Sequence, residues 1–300
     1  MTHIPGLHHV TAITGSAQSN ADFYTGALKQ RLVKKTVNFD DPGTWHLYYG
    51  DRTGSPGTIL TYFPFAGVGP GKPGPGMASA FAYAVPDLAA AVENLRATGH
   101  NVTPTEDRFG EKLATLRDSD GAVVELVEQA GTDGHGFHSV TLWLNDPDRT
   151  ARLLTDVFGW QPAGHDVRQG RERLRFRAPG NERGNVVDLI RVDGAARGWQ
   201  GAGSIHHVAF RARSPEEQLD WQARLGAAGH RTTPVIDRQY FDAIYFREPG
   251  GVLFEIATDP PGFAVDEPVE TLGTTLKLPP QYEGMRDRIE RTLPPLRVAS

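Results

Sequence analysis

Four short segments, each a glycine turn followed by an apolar run and a polar residue, recur at intervals of 64, 63 and 67 positions. They are Gly57-Thr58-Ile59-Leu60-Thr61, Gly121-Ala122-Val123-Val124-Glu125, Gly184-Asn185-Val186-Val187-Asp188 and Gly251-Val252-Leu253-Phe254-Glu255. A period of this size means one supersecondary unit used repeatedly, each copy burying its apolar face against another. The unit starts recur too: Leu7-His8-His9-Val10, a weaker Ala78-Ser79-Ala80-Phe81, Phe137-His138-Ser139-Val140 and Ile205-His206-His207-Val208.

Between start and end, each unit carries a helix signal. Ser214-Pro215-Glu216-Glu217 combines a capping box with Pro at the first helical position. Asp146-Pro147 and Pro86-Asp87 precede apolar residues at helical spacing, and in the first unit Ser19 or Asn20 precedes Phe23, Ala27 and Leu28. Short alternating segments follow, such as Trp45-His46-Leu47-Tyr48-Tyr49 and Ala243-Ile244-Tyr245-Phe246. The pattern reads β-α-β-β-β, four times over. The Gly/Pro-rich stretch 64–76 lacks the lysine and hydroxyl residue of a phosphate loop, so it reads as a linker. Residues 281–293 read as a helix within a tail that either packs on a neighbouring surface or forms a lid.

Bulk properties exclude several classes. There is no cysteine, hence no disulfide, thiolate ligand or cysteine nucleophile. A net charge of −5 without a Lys/Arg cluster argues against nucleic acid. No apolar run approaches the length of a membrane helix. The segment beginning Met1-Thr2-His3-Ile4-Pro5 has no charged-then-apolar export pattern, so a cytoplasmic location is expected. A metal, if held, must be held by His, Asp, Glu or water, which suits Zn, Fe(II), Mn or Ni.

Two His-His pairs among only 11 histidines open the first and last units, His8-His9 and His206-His207. Adjacent residues on a strand face opposite ways, so one ligand per pair is the natural count. On that rule His8 and His206 point away from the face of His9 and Thr11 unless the strand is bulged.

Four such units, with histidine on first strands and carboxylate on last strands, resemble the vicinal oxygen chelate superfamily of glyoxalases and extradiol dioxygenases. The resemblance implies an α+β fold of four βαβββ modules forming two half-open mixed β-barrels with helices outside. Residues 5–130 and 135–260 would each hold two modules, and 261–300 would form the tail. Ligands in that family come from first and last strands of the two units sharing a barrel. The first-strand positions here hold His9 and His207, with Ser139 beside His138 in unit three and Met77 or Ala78 in unit two. The last-strand positions hold Thr61, Glu125, Asp188 and Glu255. Only the outermost units combine two histidines with a carboxylate, and Thr61 is a poor fourth ligand. Units two and three are expected to make a metal-free structural barrel.

A nearer resemblance is to the hydroquinone ring-cleaving dioxygenases. It rests on Leu7-His8-His9-Val10-Thr11, Trp45-His46-Leu47-Tyr48, Ile205-His206-His207-Val208-Ala209, the stretch from Arg238 through Tyr245 to Glu255, and the tail segment 272–280. It implies Fe(II), with Mn(II) as the alternative, on His9, His207 and Glu255. Around them it implies an outer shell of His8, His206, Thr11, Arg238 and Tyr245, with Tyr245 or a first-pair histidine as general base. The implied substrates are a small aromatic diol and O2, in a monomer or homo-oligomer. Three readings compete: a catechol-type extradiol dioxygenase, a glyoxalase-like lyase or isomerase, and a metal-free ligand-binding protein.

Overall fold

The computed structural model describes residues 3–298. Met1 and Thr2 of the N-terminal segment, and Ala299 and Ser300 of the tail, lie outside the described residues. Module one comprises β1 (Leu7–Thr14), α1 (Ala17–Ala21), β2 (Arg31–Asn38), β3 (Asp41–Gly50) and β4 (Ile59–Pro64). Module two comprises β5 (Met77–Val85), α2 (Leu88–Ala97), β6 (Glu106–Arg108), β7 (Glu111–Arg117) and β8 (Val123–Glu128). Module three comprises β9 (Phe137–Leu144), α3 (Asp148–Arg152), β10 (Gln161–Arg168), β11 (Arg171–Arg177) and β12 (Val186–Arg191). Module four comprises β13 (Ile205–Ala212), α4 (Pro215–Ala227), β14 (Ile236–Asp237), β15 (Phe241–Arg247) and β16 (Leu253–Pro261).

Helix starts follow local chemistry. Ser214 and Asp87 cap α4 and α2 through their side chains. The cap of α1 is Ser16, earlier than Ser19 or Asn20, and it accepts from the Ser19 amide at 3.2 Å. The chain then widens into a π turn over Asp22–Ala27, which turns Phe23 and Tyr24 into the core. Module three repeats this turn over Leu153–Val157.

Two curled eight-stranded sheets result. The first runs β14-β15-β16-β13-β1-β4-β3-β2, so modules one and four share it through the antiparallel β1–β13 pair. The second runs β10-β11-β12-β9-β5-β8-β7-β6, joining modules two and three through β5–β9. Within each half the first and last strands are parallel neighbours. The linkers after modules one and three lie together, bridged at Pro70–Ala202 and Lys72–Trp199. Glycine is required there: a Cβ on Gly74 would sit 2.2 Å from the Gly198 nitrogen.

The tail is a strap along the edge strand β2. Leu276 bridges Lys35, and the Lys277 amide donates to the Lys35 carbonyl at 2.9 Å. The buried Lys34 ammonium pairs with Asp266 at 2.6 Å and Glu267 at 3.0 Å. Tyr282 donates to the Phe39 carbonyl at 2.7 Å, and Trp45 donates to the Pro294 carbonyl at 2.9 Å. The helical part is shorter than 281–293: a 3-10 turn over Pro280–Met285 leads into α5 (Arg286–Thr292). Covering β2 removes an exposed strand edge.

The second barrel repeats the register of the first with different side chains. Asp188 pairs with Thr141 and Glu125 with Ala82, as Glu255 pairs with Ala209 and Thr61 with Thr11. Its first-strand positions are therefore Ser139 and Ala80. The pairing of Ala82 with Glu125 sets the second of these at Ala80, two residues earlier on the strand, and not at the expected Met77 or Ala78. Both carboxylates face guanidinium groups. Arg108 holds Glu125 through two bonds of 2.8 and 2.9 Å. Asp188 accepts from Arg173 at 2.8 Å and from Arg175 at 2.8 and 3.0 Å. His138 lies 3.2 Å from Glu111, which also meets Arg175.

Removing one partner of such a buried pair strands the other charge. Arg108→Leu should lower stability by about 3–5 kcal/mol in urea unfolding, and R108L/E125L should recover most of that loss. Burial alone would raise the Glu111 carboxyl, but His138 and Arg175 beside it hold it near 2 against an ordinary 4.5. A depressed carboxylate stabilises above its ordinary pKa and loses that contribution as pH falls through its folded value. Glu111→Gln should therefore be less stable than wild type at neutral pH. The gap in urea midpoints should close between about pH 4.5 and pH 2.

Candidate metal centre

Two neighbouring rungs of the first sheet build the site. One runs Tyr245, Glu255, Ala209, His9 and Ile59 across β15, β16, β13, β1 and β4. The other runs His207, Thr11, Thr61 and Tyr48 across β13, β1, β4 and β3. His9 and Thr11 are two apart on β1, as are His207 and Ala209 on β13, so the rungs share a face. His9, His207 and Glu255, the expected ligand set, converge there with their donor atoms within 4.8 Å of one another. His9 Nε2 lies 3.2 Å from His207 Nε2 and 3.3 Å from Glu255 Oε2, and His207 Nε2 lies 2.9 Å from the same oxygen.

The two contacts to Glu255 are short without being well-formed hydrogen bonds. Glu255 is fully buried, yet neither carboxylate oxygen finds a properly angled donor among the described residues. Such an orphan is costly unless a cation meets it. Neighbouring ligands about 2.1 Å from one ion, set at right angles, lie about 3 Å apart, which matches these edges. Burial pushes the Glu255 carboxyl up, but His9 and His207 override it and hold it well below the usual carboxylate range. Burial lowers His207, against the opposing pull of Glu255, so its imidazole is neutral near pH 7. The donor set fits a divalent cation.

The first histidine of each pair has a defined place. β1 is bulged between Leu7 and His9, which breaks the simple alternation at His8. His8 Nδ1 lies 2.9 Å from His9 Nδ1, and His206 Nδ1 lies 2.7 Å from His207 Nδ1. With the Nε2 lone pairs of His9 and His207 kept for a cation, their Nδ1–H groups donate, and His8 and His206 accept. Burial, reinforced by the neighbouring histidine, pushes His8 well down and His206 to about 3, so both accept as neutral rings. His8 packs against Phe241 outside the cavity, whereas His206 reaches the cavity wall.

A cavity of about 260 Å³ opens beside His9 and His207. Thr11, His206, Arg238 and Tyr245 line it with His9 and His207, and Phe39, Phe63, Phe65, Phe241 and Leu253 supply apolar wall. Arg238 Nε donates to the Tyr245 hydroxyl at 3.2 Å, and its guanidinium lies 3.7 Å from Asp40 at the rim. Burial and then Glu255 raise the Tyr245 phenol, so it keeps its proton near neutral pH. The sequence reading gave no role to His46 and Tyr48, which also line the cavity. Their alternation on β3 was the available signal.

A divalent ion binding only the folded chain should stabilise it by about 2.7 kcal/mol at a hundredfold excess over Kd. Anaerobic thermal unfolding with added Fe(II) or Mn(II) should show the rise for wild type and none for His207→Ala or Glu255→Ala. An equal rise in both variants would put the ion elsewhere.

Comparisons with known proteins identify the family. The profile of the Glyoxalase/Bleomycin resistance protein/Dioxygenase superfamily matches residues 6–126 and 136–256. The Bacillus subtilis (strain 168) protein named "Putative ring-cleaving dioxygenase MhqO" is 46% identical over 308 residues, spanning 98% of this chain and 97% of its own. The chlorohydroquinone/hydroquinone 1,2-dioxygenase of Sphingobium indicum is 37% identical over 318 residues, spanning 97% of this chain and 96% of its own. A solved Bacillus subtilis structure, described in similarly provisional terms as a dioxygenase, superposes with a TM-score of 0.93 at 44% identity over 100% of both chains. Glyoxalase I from Zea mays superposes at 0.66 with 16% identity over 85% of this chain and 92% of its own, a likeness of fold alone.

Proposed function

This chain belongs to the Glyoxalase/Bleomycin resistance protein/Dioxygenase superfamily, and from that premise we propose that it cleaves hydroquinone-type aromatic diols with O2 on an Fe(II) ion held by His9, His207 and Glu255. It is an oxidoreductase of the ring-cleaving dioxygenase kind. The observation that carries the finer reading is the incomplete ligand set facing the cavity. Two imidazoles and one carboxylate leave coordination positions open, as in the non-haem Fe(II) oxygenases. Thr61, in the fourth position, is engaged instead by Thr11 at 3.0 Å and His46 at 2.9 Å. That argues against a four-ligand lyase site. The para-diol preference is supported by the 37% identical Sphingobium indicum protein, whose name specifies hydroquinones.

When bound, the Fe(II) ion, or Mn(II) in its place, supplies activation of O2 and a Lewis acid for one diol oxygen. The remaining work falls to side chains. The phenylalanine walls hold the aromatic ring and exclude water from the reacting atoms. Tyr245, braced by Arg238, points a phenol donor that stabilises negative charge growing on a substrate oxygen. His8 and His206 fix the ligand histidines in the tautomer that leaves Nε2 free.

Protein loaded anaerobically with Fe(II) should consume O2 with hydroquinone or substituted hydroquinones, and less with catechol. Turnover of a hemithioacetal with no uptake on any diol would sink the dioxygenase reading. Tyr245→Phe should keep its metal and lose roughly 10²–10³ in kcat.

A further inference from the structure

Thr61 belongs to a buried polar row. Its hydroxyl lies 3.0 Å from Thr11 Oγ1 and 2.9 Å from His46 Nε2, and His46 Nδ1 lies 2.9 Å from the Tyr48 hydroxyl. The ladder explains the alignment. Thr61 is the register partner of Thr11 on one side and of Tyr48 on the other. His46 lies two residues before Tyr48 and so shares its face. Thr11, His46 and Tyr48 all line the cavity.

Counting donors gives this row a direction. A buried hydroxyl needs an acceptor. Tyr48 is 1% exposed, and burial raises its phenol so that it keeps its proton. Among the described residues His46 Nδ1 is the acceptor in reach. Burial also pushes the His46 imidazolium down, so the ring is neutral and carries one proton. With Nδ1 accepting, that proton sits on Nε2 and is donated to Thr61. Thr61 then donates to Thr11. The Thr11 O–H is left over, on the cavity wall two residues from His9.

We propose that His46 is a positioning residue: locked as the Nε2–H tautomer by Tyr48, it orients Thr61 and thereby presents the Thr11 hydroxyl as a hydrogen-bond donor to an oxygen of the bound diol. This role rests on the ring-cleavage reading for its substrate, but the tautomer on which it depends does not. No proton is transferred along the row; it sets an orientation before the chemistry begins. Packing alone, by contrast, would leave the polarity of these hydroxyls immaterial.

Two measurements decide it. Nitrogen-15 NMR of histidine-labelled protein, with His46→Gln used to assign the signal, reads the tautomer without turnover. Wild type should show neutral Nε2–H between about pH 6 and 8, and Tyr48→Phe should show mixed tautomers. A neutral Nδ1–H ring or a charged ring in wild type overturns the proposal. In steady-state kinetics, Thr61→Val keeps the shape but not the hydroxyl. It should lower kcat by about ten- to a hundredfold with KM moving less than about twofold, and Thr61→Ser should restore most of the loss. Unchanged kcat in T61V overturns the proposal, as does an equal loss in T61S, which would mean that only packing matters. If wild type consumes no O2 with any diol, it is the ring-cleavage reading that fails, and the NMR result alone then decides whether His46 directs Thr61.

Discussion

The antiparallel pairing of β1 with β13 is the contact on which everything else depends. It joins residues such as His9 and His207 that are 198 positions apart in sequence. The inner β5–β9 pair joins residues about a third as far apart, such as Ser79 and Thr141 at a separation of 62. Closure entropy grows slowly, by about 0.6 kcal/mol per doubling of loop length, so the outer pairing costs only about 1 kcal/mol more. Once the inner barrel has formed, the effective loop is shorter still. A chain built from four alike modules can therefore pair its outermost strands without a large entropic penalty, and those strands carry the histidines.

Register then does the rest. Pairing Thr11 with His207, and His9 with Ala209, puts both imidazoles on one face of the sheet. The parallel partner strands add Glu255 from one side and Thr61 from the other. A slip of one residue in β13 would turn His207 to the opposite face and present His206. The bulge at His8 settles how the spare histidine is used: it leaves His8 Nδ1 facing His9 Nδ1 within hydrogen-bond reach.

Much of this was legible in the sequence because its signals are local and repeated. The glycine-led last strands located Glu125, Asp188 and Glu255 at equivalent positions, and the His-His pairs located His9 and His207. What was not legible depends on long-range geometry. The first strand of module two carries no histidine to mark its position, which read as Met77 or Ala78 and stands at Ala80 because Ala82 pairs with Glu125. The tail's place along β2 depends on Lys34, Asp266 and Glu267 meeting across more than 230 positions. His46 acquires meaning only when β1, β3 and β4 lie side by side, because its partners, apart from Tyr48, come from other strands.

The two barrels answer one electrostatic problem in opposite ways. Each buries a carboxylate at the same register position, Glu255 in the first and Asp188 in the second. In the second barrel Arg175 stands where Tyr245 stands in the first, opposite the carboxylate in the ladder, and its guanidinium neutralises the charge permanently. In the first barrel a phenol takes that place, and Arg238 is turned to the phenol oxygen instead of to Glu255. A fixed internal cation would satisfy Glu255 and close the site; withholding one leaves a buried anion beside two imidazoles and an open cavity. That arrangement costs folding free energy in the ion-free chain and returns it only when a divalent cation binds. The two barrels thus differ at two places: in the first-strand positions, His9 and His207 against Ala80 and Ser139, and in the side chain that faces the last-strand carboxylate, Tyr245 against Arg175.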